Sequence, residues 1–146
     1  MSFCRIDDKP IRTHEPVTEP DALLIQDPTL LHQADLFARL GRDGYMLINS
    51  TKGFDELGLD EFVRDFHRER LLVVPASALA LTHLGRPLPG APMLGGFAAL
   101  TRRVGLDSVL AAINSRFTGP VAEGNGKAAR AAFDFVTDER EALTHA

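Results

Sequence analysis

Three short apolar runs, Ala22-Leu-Leu-Ile25, Tyr45-Met-Leu-Ile48 and Leu71-Leu-Val-Val74, constrain this chain more than any other feature. None alternates apolar with polar residues, so each reads as a strand buried on both faces, the habit of parallel sheets. Each is followed by a polar or proline-bearing turn and then by helical periodicity. That is the β-α-β-α rhythm of an open α/β sheet with right-handed crossovers.

The first crossover is the clearest. Asp27 is a good N-cap and Pro28 suits the first helical position. Leu30, Leu31, Ala34, Phe37 and Ala38 then form one apolar face, and Gly41 and Gly44 end the helix. After the polar loop Asn49-Ser-Thr-Lys-Gly53, Asp60 is placed to cap a helix through Phe62, Val63 and Phe66. A third helix, Ser77 to Leu84, stops at Gly85.

Strand signals then cease. Arg86 to Pro92 is a proline-rich connector whose prolines forbid both helix and central strand, and a helix is expected after Pro92 with Met93, Leu94, Phe97, Leu100 and Val104 on one face. Gly95 and Gly96 each cost that helix about 1 kcal/mol relative to alanine. Beside Ala98 and Ala99 they imply close backbone approach by a neighbour. Asp107 is expected to cap a helix bearing Val109, Leu110, Ile113 and Phe117, and a last helix carries Ala128, Ala129, Ala132, Phe133 and Val136.

The opening departs from this plan. Phe3 to Arg12, with turn-forming Asp7-Asp8 between short β-like pieces, predicts a hairpin or edge strands. An α/β sheet seldom begins so, and three strands make a thin sheet for this many helices. The expectation is therefore a three-layer α/β/α, open, mostly parallel, Rossmann-like sheet with an N-terminal β-ribbon and a helical C-terminal part. Its first strand–loop–helix unit is expected upstream of Met1. A length of 146 residues suits a single domain over 1–146.

Composition excludes several functions. The formal charge is −4 with no long basic block, which argues against nucleic-acid binding through phosphate neutralisation. The longest greasy stretch, Leu71 to Leu81, is broken by Pro75 and Ser77 and is far shorter than the roughly 20 residues that span a bilayer. Arg5, Asp7, Asp8 and Lys9 stand where a signal peptide would need an apolar segment, so a cytoplasmic protein with no membrane partner is expected. One cysteine, Cys4, excludes an internal disulfide and a self-contained iron–sulfur site, and it reads as a small buried hydrophobe.

Motifs are mostly missing. No G-x-G-x-x-G follows a strand, and no G-x-S-x-G elbow occurs. Gly124-Asn-Gly126-Lys127 imitates a P-loop ending, but Val121 replaces the required glycine and Ala128 the metal-binding hydroxyl, so a loose helix start is expected there. His14, His32, His67, His83 and His145 form no helical H-x-x-x-H pair, and no metal ligand is assigned. His67 lies in a charged stretch, Arg64 to Arg70, that reads as a solvated helix end. The loops after the strands remain, because ligands of open α/β sheets bind outside the strands' carboxyl ends. Asn49, Ser50 and Thr51 form the best candidate, since short polar side chains with free N–H groups can hold a phosphate or carboxylate. Loop and cap hydrogen bonding alone is the competing reading.

At these residues a family resemblance emerges. Asp21 to Asp27, Gly44 to Ser50, Val74-Pro-Ala76, Leu84-Gly-Arg-Pro87 and Met93-Leu-Gly-Gly-Phe97 together resemble the gamma subunit of 2-oxoacid:ferredoxin oxidoreductases, of which pyruvate synthase (pyruvate:ferredoxin oxidoreductase) is the best known. The likeness is collinear from Phe3 to about Val136, and Val121 to Phe133 resembles the family's last helix, with Gly126 where an apolar residue would be expected. The family's opening strand and G-x-G-G-Q-G loop have no counterpart, so the chain reads as the C-terminal part of a longer domain.

The resemblance implies one subunit of an enzyme that oxidatively decarboxylates a 2-oxoacid such as pyruvate to acyl-CoA and CO2 with reduction of ferredoxin, reversibly. It further implies thiamine diphosphate, Mg2+ and [4Fe-4S] clusters on alpha, beta and ferredoxin-like delta partners, none of them bound by this chain alone. Coenzyme A is the co-substrate, with Asn49, Ser50 and Thr51 as a CoA-facing loop, and no catalytic residue is assigned to this chain. A non-catalytic scaffold and an unrelated small α/β ligand-binding domain stand as alternatives.

Overall fold

A computed structural model describes residues 3–13, 15–32 and 39–144. The three apolar runs are strands: β1 (Ala22–Ile25), β2 (Tyr45–Asn49) and β3 (Leu71–Val74), all parallel, in the order β1-β2-β3. Leu24 stands beside Leu47 and Ile25 beside Ile48, while Leu47 also neighbours Leu72 and Asn49 neighbours Val74.

Successive side chains of β2 point to opposite faces, and that parity divides the core. Met46 and Ile48 pack with Ile25, Leu31, Leu40, Phe54, Leu59 and Val63 on one face. Leu47 packs with Val74, Met93, Leu100, Ala132 and Val136 on the other. The first face is covered by a 3-10 turn (Pro28–His32), the loop after β2 and the one-turn helix α1 (Asp60–Val63). Four longer helices stand on the other side: α2 (Ala76–Leu84), α3 (Gly90–Thr101), α4 (Leu106–Arg116) and α5 (Gly119–Thr144). The architecture is a three-layer α/β fold. Among the described residues no helix is long and apolar enough to cross a membrane.

The adjacent glycines of α3 explain how so thin a sheet carries so many helices. Consecutive residues of a helix point about 100° apart, so Gly95 and Gly96 serve two neighbours. A Cβ on Gly95 would collide with the backbone carbonyl of Ala129 on α5. One on Gly96 would lie 2.8 Å from Leu47 of the sheet and 3.3 Å from Val136. Both helix–helix and helix–sheet contacts are therefore made at backbone distance.

Several expectations need correction. Residues 3–20 contain no strand among those described, so the N-terminal ribbon is not a β-ribbon. The chain does fold back, because the Arg5 guanidinium donates to the carbonyls of Glu15 and Pro16 at 3.3 Å each. Pro10, Pro16 and Pro20 lack the N–H groups that a ladder needs. The helix expected over Leu30 to Ala38 opens as the 3-10 turn, and Ala34, Phe37 and Ala38 lie outside the described residues. Leu59 and Gly105, not Asp60 and Asp107, are the N-caps of α1 and α4, and the two aspartates lie in the first turns, where a negative charge favours the helix dipole.

Helix α3 starts at Gly90 rather than after Pro92, which occupies the first turn, where a missing N–H leaves no bond unmade. Val104 lies beyond its end, which is closed by Arg102 in the left-handed region at φ 56°. Helix α2 ends as expected, at Gly85 with φ 82°.

The largest surprise is α5, which runs 26 residues straight through Gly124-Asn125-Gly126. The reason is tertiary contact. Gly124 lies against α2, where a Cβ would come 2.8 Å from the His83 carbonyl, and buried Asn125 donates to the Val121 carbonyl of its own helix at 3.0 Å.

These contacts make opposite predictions for two glycines. Gly95→Ala forces Cβ into the α5 backbone and should cost at least about 2 kcal/mol, as overpacking does. Gly126→Ala meets only Leu110 at 3.6 Å, and removing a helix-interior glycine should stabilise by about 0.5–1 kcal/mol. Urea denaturation of the two variants checks both signs.

Candidate ligand-facing edge

The carboxyl ends of the strands bring together Gln26 to Thr29, Asn49 to Gly53 and Pro75 to Ser77. Asn49 shares the parity of Leu47 and so points to the helix side of the sheet, where it is 7% exposed. Its Nδ2 donates to the Gln26 carbonyl at 2.9 Å and to Ser77 Oγ at 2.8 Å, and its Oδ1 accepts the Ser77 N–H at 3.1 Å. Ser77 is the second residue of α2, and its N–H is one of the amides that a helix cannot satisfy internally. Pro75 at the N-cap offers no side-chain bond. Asn49 therefore caps α2 from the neighbouring strand while tying down the end of β1.

The next residues face outward. The Ser50 N–H donates to the Val74 carbonyl at 3.1 Å, extending the β2–β3 pairing, and Ser50 Oγ accepts the Lys52 N–H at 2.9 Å. Thr51 and Lys52 are exposed. Across the edge, Asp27 Oδ1 accepts the Thr29 N–H at 3.0 Å and the Thr29 hydroxyl at 2.8 Å. Those bonds, the backbone one first, hold the Asp27 carboxyl below the usual carboxylate range. The rim thus offers the Ser50 and Thr51 hydroxyls and the Lys52 ammonium on the β2 side and a fixed carboxylate on the β1 side. The three sequence candidates divide: Asn49 is committed to the fold, and Ser50 and Thr51 reach solvent. Ser77 and Lys52 were missed, although the period of two along β2 already assigns Asn49 to the helix side.

The other candidates are dispersed. His67 is exposed, in the stretch that leaves α1 at Arg64, as a solvated helix end would be, but it also has partners. Its Nε2 lies 2.8 Å from Asp43, while Arg70 donates to the Asp43 carbonyl at 2.6 Å and stacks 5.0 Å over the Tyr45 ring. That cluster pins the chain entering β2. His14, His145 and the side chain of His32 lie outside the described residues. Among the described residues no group of three His, Cys, Asp or Glu side chains is placed to hold a metal ion. Cys4 is exposed, not buried, and among the described residues the segment that carries it belongs to none of the core clusters.

The fold and its edge define a class: a parallel α/β chain with a polar rim and no constellation of catalytic side chains among the described residues. Comparison with known proteins narrows it. The family described as pyruvate ferredoxin/flavodoxin oxidoreductase matches residues 1–135. The chain is 39% identical over 133 residues to the pyruvate/ketoisovalerate oxidoreductases common subunit gamma of Pyrococcus abyssi, covering 91% of this chain and 70% of that one. It is 37% identical over 134 residues to the pyruvate synthase subunit PorC of Methanocaldococcus jannaschii, covering 92% and 70%. The crystal structure of pyruvate oxidoreductase subunit PORC from Thermotoga maritima matches with a TM-score of 0.67 at 29% identity, covering 81% of this chain and 64% of that one. This chain belongs to the pyruvate ferredoxin/flavodoxin oxidoreductase family, and the relatives it resembles are gamma or PorC subunits. An unrelated small α/β domain is set aside. The chain spans 70% of the length of these curated relatives and 64% of the solved one.

Two outcomes follow from the edge geometry. Asn49→Ala leaves the Ser77 amide and the Gln26 carbonyl without their partner, and should lower unfolding free energy by about 2–3 kcal/mol. Thr29→Ala removes one of the two bonds on Asp27 and should raise its titration toward the ordinary range, read by carboxyl NMR. Because the folded-state value is lowered, Asp27 stabilises the fold at neutral pH, and that contribution fades as pH falls through the lowered value.

Proposed function

We propose that this chain is the gamma subunit of a 2-oxoacid:ferredoxin oxidoreductase, an enzyme that converts a 2-oxoacid such as pyruvate and coenzyme A into acyl-CoA and CO2 with reduction of ferredoxin, reversibly. The observation that carries this reading is the collinear likeness, over 91% of the chain, to a subunit named as common to pyruvate and ketoisovalerate oxidoreductases. A subunit shared by two such enzymes fits a chain that contributes surfaces rather than the substrate pocket.

A cubane cluster takes four thiolates and this chain has one cysteine, so it cannot hold a [4Fe-4S] cluster alone. In this reading, which rests on the family resemblance, the clusters belong to beta and ferredoxin-like delta partners, and thiamine diphosphate and Mg2+ to alpha and beta partners. Thiamine diphosphate supplies the decarboxylation chemistry where it is bound. Residues 1–146 act as one gamma-type domain in the cytoplasm, where a lone exposed thiol such as Cys4 stays reduced.

This chain's own part is subunit packing and a coenzyme A-facing edge. Ser50 and Thr51 supply hydroxyls suited to a phosphate, Lys52 adds a point charge, and Asn49 beneath them holds the loop in place.

The test is reconstitution with the partner subunits and measurement of coenzyme A-dependent ferredoxin reduction. Thr51→Glu should raise the KM for coenzyme A about tenfold, the equivalent of 1.4 kcal/mol, with the KM for the oxoacid unchanged. An unmoved coenzyme A KM would remove the rim from the reading. Failure of the chain to enter an active complex would sink the subunit assignment itself.

A further inference from the structure

Gly124-Asn125-Gly126 is no phosphate loop, yet it carries a chemistry of its own. Of the chain's three asparagines, Asn49 and Asn114 precede serine and only Asn125 precedes glycine. A glycine after asparagine favours attack of its backbone nitrogen on the side-chain amide, because no Cβ obstructs the approach and the backbone turns freely. The Gly126 nitrogen bonds to Asn125 Cγ, the Cγ–Nδ2 bond breaks, and Nδ2 departs as ammonia with the proton that Gly126 gives up. Water then opens the cyclic imide at one of its two carbonyls and leaves aspartate or isoaspartate at position 125. Water is the only co-reactant.

The native fold withholds this reaction. Both residues lie inside α5, where the Gly126 N–H is committed to the carbonyl four residues back. Ring closure needs that N–H free and the peptide rotated out of helical geometry. Asn125 is also 6% exposed, and its Nδ2 donates to the Val121 carbonyl at 3.0 Å. It stands on the buried stripe that Ala122, Ala129, Ala132 and Val136 complete. Local propensity does not hold the segment closed, since two glycines in three residues disfavour helix. Tertiary contact does, with Gly124 set against His83 and Leu84 of α2.

We infer that Asn125 is a latent site of spontaneous deamidation, closed while α5 packs on α2 and exposed by local unfolding of the first turns of α5. Such sub-global openings are the normal way a folded chain bares a protected backbone group. The reaction is one-way in its consequence. Aspartate at 125 loses the donor that serves the Val121 carbonyl and sets a carboxylate on the buried stripe, a costly placement. Isoaspartate routes the main chain through an extra carbon and breaks the helical register. Either product disfavours reclosing, so every opening that ends in reaction leaves the α2–α5 contact weaker. Asn114, exposed on α4, carries no such consequence and serves as the internal reference.

The experiment incubates the purified full chain in mildly alkaline buffer, folded or unfolded in urea. The tryptic peptide from Phe117 to Lys127 is followed by mass spectrometry and isoaspartate labelling. In urea, Asn125 should convert about tenfold faster than Asn114, and Gly126→Ala should remove that excess. In the folded chain, conversion of Asn125 should be at least about tenfold slower than in urea, in proportion to the open fraction. Gly124→Ala presses a Cβ on the His83 carbonyl, and should speed conversion several-fold in the folded chain while leaving the rate in urea unchanged. Circular dichroism checks that this variant is folded. Equal rates for Asn125 and Asn114 in urea would overturn the site. Equal rates for Asn125 folded and unfolded, or no response to Gly124→Ala, would overturn its closure by the α2–α5 contact. Asn125→Asp should lower the urea midpoint, and a wild-type midpoint would overturn the one-way consequence.

Discussion

The approach of α3 to α5 at backbone distance is the contact on which the rest of the fold depends. The three strands among the described residues offer little surface, and of these only β2 has a strand on both sides. The helices must therefore bury one another as well as the sheet. Gly95 lets α3 meet α5, and Gly96 lets the same turn meet Leu47 of the sheet. Two helix-interior glycines weaken α3 as an isolated helix by about 1 kcal/mol each, and close packing on two sides offsets that loss. Farther along the pair, the Arg140 guanidinium of α5 donates to the carbonyls of Ala99 and Leu100, among the last four of α3, at 3.3 and 3.0 Å. A cation there both satisfies orphan carbonyls and opposes the helix dipole. The contact that glycine opens is thus closed by a capping arginine from the same neighbour.

Asn49 performs the corresponding task at the other layer boundary. A polar amide at the end of a buried strand would be costly if unpaired, yet here both of its N–H donors and its oxygen are engaged, with Gln26 and Ser77. The consequence reaches the surface. The Ser77 amide of α2, part of an anion-binding feature common in open α/β sheets, is filled from inside. What remains for a ligand is the outer rim of the β2 loop, held in position because its root is tied to β1 and α2 at once.

The strands and their parallel order could be read from the sequence because four consecutive apolar residues leave little choice of environment. Gly85 likewise announced the end of α2. The errors share a cause, which is that local signals were overruled by contacts distant in sequence. Gly124 and Gly126 look like a helix start until His83 and Leu84 are placed beside them. Asp60 and Asp107 look like caps, but the turns begin a residue or two earlier, where Leu59 and Gly105 set the chain direction. The Asp7-Asp8 turn suggested a ladder that prolines preclude and a side chain, Arg5, partly replaces. At the edge, Asn49, Ser50 and Thr51 are similar as residue types. Their different fates follow from the alternation of β2, which turns Asn49 under the helices and lets the chain leave the sheet directly afterward.

The two ends of α2 differ in kind. Where it begins, polar groups bond one another: Asn49 and Ser77 pair, Asp27 holds Thr29, and Ser50 holds the Lys52 amide. Where it ends, backbone packing takes over: the Gly85 N–H donates to the Leu81 carbonyl at 3.1 Å, and Gly124 of α5 comes against His83 and Leu84 with no room for a Cβ. One end of the helix is thus held by side-chain bonds from the sheet and the other by the backbone of its neighbour, and the low charge of Leu71 to Thr101 reflects how much of β3, α2 and α3 is enclosed between them.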